Sequence, residues 1–188
     1  SGYSALLDGG GGDDYLFGGS GDDIYRLGTG NDVANILPGA PPPGLAPNYG
    51  GNDTYVLTFS EQTLVDPFGN NTLDFSLSSF GVQFDLSQVP TGALLPGAPQ
   101  DVADDRSGQL PGTHLLAAAG SFSSIWGTAL GDTLTAASNA TLAGGLGSDR
   151  YYLPNGGSSN VTIQDRGGGV GDHNAVAIRS GSSTAGLH

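Results

Sequence analysis

Three aspartates, Asp14, Asp23 and Asp32, lie nine residues apart near the start of the chain. Each is the sixth residue of a nine-residue unit, and the units GGGGDDYLF, GGSGDDIYR and LGTGNDVAN cover residues 9–35. Glycine reaches the positive φ values that let successive carbonyl groups point inward, so such turns offer neutral oxygen ligands beside the carboxylates. Flexible, oxygen-only coordination suits Ca²⁺ and suits zinc or copper poorly. The spacing therefore predicts calcium-binding turns.

The units resemble the RTX nonapeptide GGxGxDxUx, with Leu27 in place of the first glycine of the third unit. The resemblance implies that six residues of each unit form a calcium-binding turn, that three form a strand, and that two units make one coil of a parallel β-roll. It also implies that Ca²⁺ lies between stacked turns. For the first site it implies six ligands, namely the carbonyl groups of Gly10, Gly12, Leu27 and Thr29 and the carboxylates of Asp14 and Asp32.

Two units per coil place Asp14 under Asp32, while Asp23 faces the opposite edge. Neighbouring rungs of a parallel sheet are about 4.8 Å apart. Two bare carboxylates at that separation repel by roughly 3.5 kcal/mol at an effective dielectric constant near 20, and the chain has no lysine to offset this repulsion. We therefore expect a divalent cation between them. The alternative is a flexible Gly/Asp-rich linker, but linkers do not keep a nine-residue register with strand-forming residues in phase.

Composition limits the possible partners. The chain has 188 residues, 34 of them glycine and 11 proline, and its net charge is -13. Because 17 Asp and one Glu face only five Arg, nucleic acid and anionic membranes are unfavourable partners. Cysteine is absent, so neither disulfides nor thiol chemistry contributes. The sequence contains no apolar run long enough for membrane insertion. The absence of Met indicates a processed protein or a piece of a larger one.

A proline-rich stretch interrupts the repeat. PGAPPPGLAPNY at 38–49 is incompatible with a strand and predicts an insertion, after which GGNDTYVL resumes the coil at 50–57. We expect this insertion on the edge of Asp23, and a second calcium between Asp23 and Asp53. The predicted ligand residues of that site are Gly19, Gly21, Asp23, Asn48, Gly50 and Asp53.

The next turn carries an amide where the acid is expected. In GNNTLDFS, at 69–76, Asn71 occupies the acid position and supplies a carbonyl oxygen but no charge. Asp66, just upstream, is the predicted source of the missing negative charge.

The pattern returns in the second half of the chain. SSIWGTALGDTL at 123–134 and GGLGSDRYYL at 144–153 place Asp132 and Asp149 17 residues apart, which indicates a one-residue deletion near Asn139. A further glycine-rich turn lies between two acids at 165–172. The predicted ligand residues of this half are Thr128, Leu130, Asp132, Gly144, Leu146, Asp149, Asp165 and Asp172.

The predicted fold is an all-β, right-handed parallel β-roll in two related segments. The first segment covers 1–87, with the insertion at 38–49, and the second covers 122–180. Between them, 88–121 contains four prolines and the acidic run DVADD, which predicts a long irregular loop. Residues 181–188 read as a polar tail.

We found none of the common catalytic motifs in the sequence. It contains no GxSxG or HExxH motif and no paired cysteines, and a phosphate-binding P-loop would need a lysine. The acids recur in register with glycine turns, as ligands do. We therefore expect no enzyme activity and a module that folds on binding several Ca²⁺ ions.

For the biological role, the sequence leaves three hypotheses. The preferred one is a structural unit of an extracellular filament, surface layer or adhesin, with self-association or neighbouring domains as partners. The second is the C-terminal carrier domain of a type I secreted hydrolase, since the resemblance implies secretion from a bacterium. The third is a glycan-binding module in which Trp126, Tyr151 and Tyr152 would form a sugar-stacking surface, although the preferred expectation is that these strand residues fill the roll.

Overall fold

Short parallel strands make up the chain. The computed structural model describes residues 2–35, 50–59, 61–91, 95–103, 114–154, 160–165 and 171–178. Within these ranges there are fourteen strands, one 3₁₀ turn at Leu86–Gln88 and no α-helix. The strands are β1 (Leu6–Asp8), β2 (Tyr15–Leu16), β3 (Ile24–Arg26), β4 (Asp32–Ala34), β5 (Thr54–Val56), β6 (Gln62–Asp74), β7 (Gln83–Asp85), β8 (Gln100–Asp101), β9 (Leu115–Trp126), β10 (Thr133–Thr135), β11 (Thr141–Ala143), β12 (Arg150–Leu153), β13 (Thr162–Ile163) and β14 (Ala175–Ile178).

Strands one coil apart pair in parallel. Leu7 pairs with Tyr25, and Tyr15 pairs with Val33, both at the 18-residue spacing of two nine-residue units. Except for β8, which pairs antiparallel with β9, every strand pairing is parallel among the described residues. This arrangement confirms the all-β parallel β-roll.

The coil has two strand-bearing faces, and successive strands of the chain alternate between them. One face has the order β1, β3, β5, β6, β9, β11 and β13. A second face contains β2 and β4, and both faces belong to one ten-stranded sheet because β4 also pairs with β6. The long strands β6 and β9 run from the second face to the first, with register shifts between Asp66 and Thr72. The second face continues as a separate four-stranded sheet in the order β7, β10, β12 and β14. This sheet adjoins β8, because the N–H of Gln83 donates to the Val102 carbonyl at 2.9 Å.

The core fills the inside of the coil. Alternate residues of a strand point to opposite faces, so a short strand such as β3 sends its middle residue inward. On the first face the inward row consists of Tyr25, Tyr55, Leu73, Ile125 and Leu142, all fully buried. The facing row on the four-stranded sheet consists of Phe84, Leu134 and Tyr151.

The two predicted roll segments, 1–87 and 122–180, stack directly on each other. The joining pair is β6 with β9, in register from Gln62 with Leu116 to Asp74 with Trp126. The coil is therefore continuous across the two segments.

The irregular loop predicted for 88–121 included residues that form strands in the structure. Strand β9 already begins at Leu115, and β8 lies inside the same range. The sequence from 115 to 121 consists of small and apolar residues without a turn motif, which hid its alternation of buried Leu116 and Ala118. Val102 and Ala103 are also buried, so part of the connection packs on the coil.

Two predicted features lie outside the described residues, namely the insertion at 38–49 and the tail at 181–188. In the part of the chain that the structure describes, no helix combines the length and the apolar character of a membrane span.

Candidate metal centre

Three rows of acidic and amide side chains follow the edges of the coil. In each row, a side-chain oxygen accepts the main-chain N–H of the equivalent residue one coil earlier. Row A consists of Asp14 and Asp32, row B of Asp23, Asp53 and Asn71, and row C of Asp132, Asp149 and Asn174.

Glycine lets the turns of successive coils lie against each other. Gly30 and Gly51 have φ angles of 135° and 121°, in the region that L side chains rarely adopt. A Cβ atom at Gly30 would overlap the carbonyl oxygen of Gly12, and one at Gly51 would overlap that of Gly21. The close approach of carbonyl oxygens to the next turn therefore depends on the missing side chains.

Row A brings all six residues predicted for the first site into two adjacent turns. The N–H of Asp14 donates to Oδ1 of Asp32 at 3.1 Å. The N–H of Thr29 donates to the Gly10 carbonyl, and the N–H of Gly12 donates to the Thr29 carbonyl, both at 2.9 Å. A carbonyl oxygen has two lone pairs, so Gly10 and Thr29 each keep one for a further partner.

Row B stacks Asp23 and Asp53 although 30 residues separate them. Oδ1 of Asp53 accepts the N–H of Asp23 at 2.7 Å, and Oδ1 of Asp23 accepts the N–H of Ala5 at 2.7 Å. The turns themselves meet where the N–H of Gly50 donates to the Gly19 carbonyl at 3.3 Å. Gly21 lies under Gly51 in the same stack, whereas Asn48 lies outside the described residues.

Asn71 and Asp66 occupy different places around row B. Oδ1 of Asn71 accepts the N–H of Asp53 at 2.9 Å, so Asn71 takes the acid position. Asp66 is 1% exposed, and its Oδ2 accepts the Tyr55 hydroxyl at 2.7 Å. Tyr55 in turn accepts from Asn35, whose Oδ1 accepts the Tyr25 hydroxyl. This buried network is a feature that the repeat pattern did not predict.

Row C repeats the arrangement in the second half. Oδ1 of Asp149 accepts the N–H of Asp132 at 2.9 Å, and both residues are fully buried. Oδ2 of Asp132 accepts the N–H of Thr128 at 2.7 Å, which ties the acid to its own turn. The N–H of Leu146 donates to the Thr128 carbonyl at 3.2 Å. Two further predicted ligand residues, Leu130 and Gly144, lie in the same pair of turns.

The last member of row C is an asparagine that the sequence prediction missed. Oδ1 of Asn174 accepts the N–H of Asp149 at 2.7 Å, and its Nδ2 bonds Oδ2 of Asp165. Asp172 precedes the row position by two residues. At Asn71 the sequence already shows an amide in the place of the acid. The same substitution was the signal that could have identified Asn174.

Burial of the acids shifts their proton affinity. Burial, with a smaller contribution from the neighbouring Asp66, raises the pKa of Asp53 to about 7. Burial also raises the pKa of Asp132 to about 7, although N–H groups of Thr128 and Val82 oppose that shift. The pKa values of Asp32 and Asp66 are raised for the same principal reason. The metal-free site thus disfavours the negative charges that its sequence supplies.

A divalent cation fits this arrangement. Oδ2 of Asp14, Asp23 and Asp32 is buried and has no hydrogen-bond partner. A buried carboxylate oxygen without a partner is unfavourable, and a cation between the turns would satisfy it. Within the described ranges, no three acidic or histidine side chains converge on one point. Main-chain carbonyl oxygens must therefore complete the coordination, as oxygen-rich calcium sites allow.

The aromatic residues of the glycan hypothesis do not form one surface. Trp126 is 46% exposed on β9, whereas Tyr151 is buried inside the coil. Tyr152 lies on β12, in the other sheet. The alternation of the strand sends the two tyrosines to opposite faces, so the three rings do not form one stacking surface. The expectation that these residues fill the roll is confirmed for Tyr151.

Residues 2–34 match the model of the RTX calcium-binding nonapeptide repeat, in four copies. The match covers rows A and B up to the insertion and confirms the repeat predicted from residues 9–35. None of the curated proteins compared with the chain matches it.

Proposed function

From the premise that residues 2–34 are RTX calcium-binding repeats, we propose that this chain is a non-catalytic module whose coil closes when Ca²⁺ binds between its stacked turns. One observation carries the proposal: the buried Oδ2 atoms of Asp14, Asp23 and Asp32 have no partner. Without a cation these carboxylates repel across adjacent rungs. The binding free energy of the cation then becomes folding free energy.

Each row supplies one set of ligands in this proposal. Row A binds through its two carboxylates together with carbonyl groups, and rows B and C follow the same scheme. Bound Ca²⁺ would supply the positive charge that joins neighbouring turns. The proposed carbonyl donors are Gly10, Gly12, Leu27 and Thr29 in row A, Gly19, Gly21 and Gly50 in row B, and Thr128, Leu130, Gly144 and Leu146 in row C.

We place the folded module outside the cell. Extracellular calcium modules have dissociation constants on the order of 10⁻⁴ to 10⁻³ M. With sites of that strength the chain would stay unfolded in the cytosol and fold after export. The RTX repeat supports this scheme, because the repeat resembles that of bacterial proteins secreted by the type I route.

A structural role within a larger assembly agrees with the exposed apolar residues at both ends of the coil. Tyr3, Leu6 and Tyr15 are 97%, 59% and 61% exposed in the first coil, and Val176 and Ile178 are 58% and 68% exposed in β14. Exposed apolar groups at the ends of a stack favour contact with a neighbouring domain or a second copy. We therefore prefer the structural unit over the carrier domain of a hydrolase.

Calcium titration tests the proposal. Circular dichroism and size-exclusion chromatography of the purified chain should show a compact β structure in millimolar calcium and its loss with excess chelator. An unchanged β spectrum and size after complete chelation would contradict it. In the calcium-loaded state, large polymers would support the structural unit, and a monodisperse monomer would support the carrier domain.

A further inference from the structure

One buried amide remains unexplained by the repeat. Gln62 is 1% exposed, and its Oε1 has no hydrogen-bond partner. Its register partner on the preceding coil is Asp32, which is also 1% exposed and has an unpartnered Oδ2. The Gln62 amide lies within hydrogen-bonding reach of the Asp32 carboxyl group. Two buried oxygens that lack partners thus belong to contacting side chains.

Neither orientation of the amide satisfies its surroundings. As placed, Nε2 of Gln62 donates to the Thr58 carbonyl at 3.3 Å and leaves both oxygens unpaired. Exchanging the amide oxygen and nitrogen would give Asp32 a donor but would bring Oε1 against the Thr58 carbonyl oxygen. Such flips are assigned from the hydrogen-bond network, and here each assignment leaves at least one buried oxygen without a donor. A cation can accept electron pairs from all three oxygens.

We propose that Asp32 and Gln62 hold a divalent cation of the Ca²⁺ class, with the Thr58 carbonyl as a further donor. The two turns are already joined, since the Thr58 hydroxyl donates to the Gly28 carbonyl at 2.7 Å and the N–H of Asp32 donates to the Glu61 carbonyl at 3.2 Å. Gln62 lies beyond the residues that match the RTX repeat. The inference rests on the proposed function, because it extends row A by one rung.

The amide also explains how row A ends. Asp14 and Asp32 already place two carboxylates on adjacent rungs. A third carboxylate directly above them would add further charge repulsion in the metal-free chain. A neutral amide oxygen binds a cation without adding that charge. Because fewer charged ligands weaken calcium binding, this site should be weaker than the site between Asp14 and Asp32.

The test compares Gln62→Met with Gln62→Glu in the full chain. Methionine has a similar shape but lacks the hard oxygen that Ca²⁺ requires, whereas glutamate keeps an oxygen and adds a charge. Bound ions are counted by isothermal titration with calcium chloride and by terbium luminescence. We expect Gln62→Met to bind one ion fewer than the parent chain, and Gln62→Glu to keep the full number with a lower calcium midpoint for folding.

The outcomes separate this inference from the proposed function. A parent chain that binds several ions, together with an unchanged count in Gln62→Met, would overturn the Gln62 site and leave the calcium module in place. A parent chain that binds none would overturn both. If Gln62→Met does not fold, the calcium midpoint of Gln62→Glu decides between the two roles. A cation site at Gln62 predicts a lowered midpoint for this variant. If the Gln62 amide only donates to Asp32, the midpoint should be raised.

Discussion

The N–H of Asp23 donates to Oδ1 of Asp53 at 2.7 Å, although 30 residues separate them along the chain. The equivalent bond between Asp14 and Asp32 spans 18 residues. The twelve extra residues therefore do not change the stacking of the acids. Insertions at an edge of the coil are tolerated because each turn depends on the turns directly above and below it.

Removing the charge of Asp23 should weaken calcium-driven folding. Asp23→Asn keeps the oxygen that accepts the Ala5 N–H, but it loses the anionic Oδ2 that is buried without a partner. We expect the calcium midpoint, followed by circular dichroism, to rise by at least about tenfold, the lower range for losing a group that supports a metal ligand.

The matched control is Asp22→Asn, one residue earlier. Asp22 is exposed, and its Oδ1 accepts the N–H of Asn52 at 2.8 Å, an acceptor that asparagine retains. The two variants have the same net charge. Equal midpoints for the two variants would show that overall charge, and not a ligand in row B, determines the response to calcium.

Calcium binding near neutral pH should release protons. Burial raises the pKa of Asp53 and of Asp132 to about 7 in the metal-free coil, above the ordinary value of 3.8. The pKa of these groups is higher in the folded state than in the unfolded state, so their ionisation above pH 7 destabilises the metal-free fold. This destabilisation disappears as the pH falls from 7 towards 4. Calcium binds the ionised groups, so its affinity should fall as the pH drops through 7.

Titration calorimetry at pH 7 in two buffers of different ionisation enthalpy measures this proton release. The variants Asp53→Asn and Asp132→Asn should each release fewer protons than the parent chain, because each lacks one of the two titrating groups. Calcium affinity that stays constant between about pH 6 and 8, where these groups titrate, would contradict the assignment.

Much of the candidate site could be predicted from the sequence, because the spacing of the repeat alone determines which residues stack. The nine-residue period predicted Asp14 under Asp32, and the later 17-residue spacing predicted Asp132 under Asp149. A one-residue deletion is absorbed in the turn at Asn139, which has a φ of 62°. The spacing therefore predicted the stacking of these four acids, whereas the last position of row C is taken by Asn174 and not by Asp165 or Asp172.

Positions without an acid were harder to predict. Asn174 and Gln62 occupy row positions, but amides occur in many loops and carry no periodic signal of their own. The division of the second face between two hydrogen-bonded sheets also had no signal, because the sequence of a strand in the four-stranded sheet, such as β10, resembles that of a strand in the ten-stranded sheet. Which sheet a strand joins depends on contacts between distant residues, such as Phe84 with Leu134.

A side chain at Gly51 should prevent close stacking of row B. Gly51→Ala places a Cβ against the Gly21 carbonyl oxygen at a φ of 121°. We expect a loss of at least about 1–2 kcal/mol in the free energy of unfolding, from the left-handed backbone alone. Thermal unfolding in saturating calcium measures the loss. Gly50→Ala is the matched control, because a Cβ there comes no closer than 3.9 Å to Ser20. If Gly50→Ala had a melting temperature as low as that of Gly51→Ala, the steric argument would be refuted.

The Tyr55 hydroxyl should stabilise the coil through the buried network beneath row B. It donates to Oδ2 of Asp66 and accepts from Nδ2 of Asn35, both at 2.7 Å. Tyr55→Phe leaves a buried acceptor and a buried donor unpaired, which costs about 1–3 kcal/mol in the free energy of unfolding. The ring and its stacking on Tyr25, with centroids 4.7 Å apart, are retained, so the loss reports the hydroxyl alone.

Tyr152→Phe makes the same chemical change on the outer side of β12 and should leave the denaturation midpoint in calcium nearly unchanged. Equal losses in the two variants would show that the network contributes no specific stability.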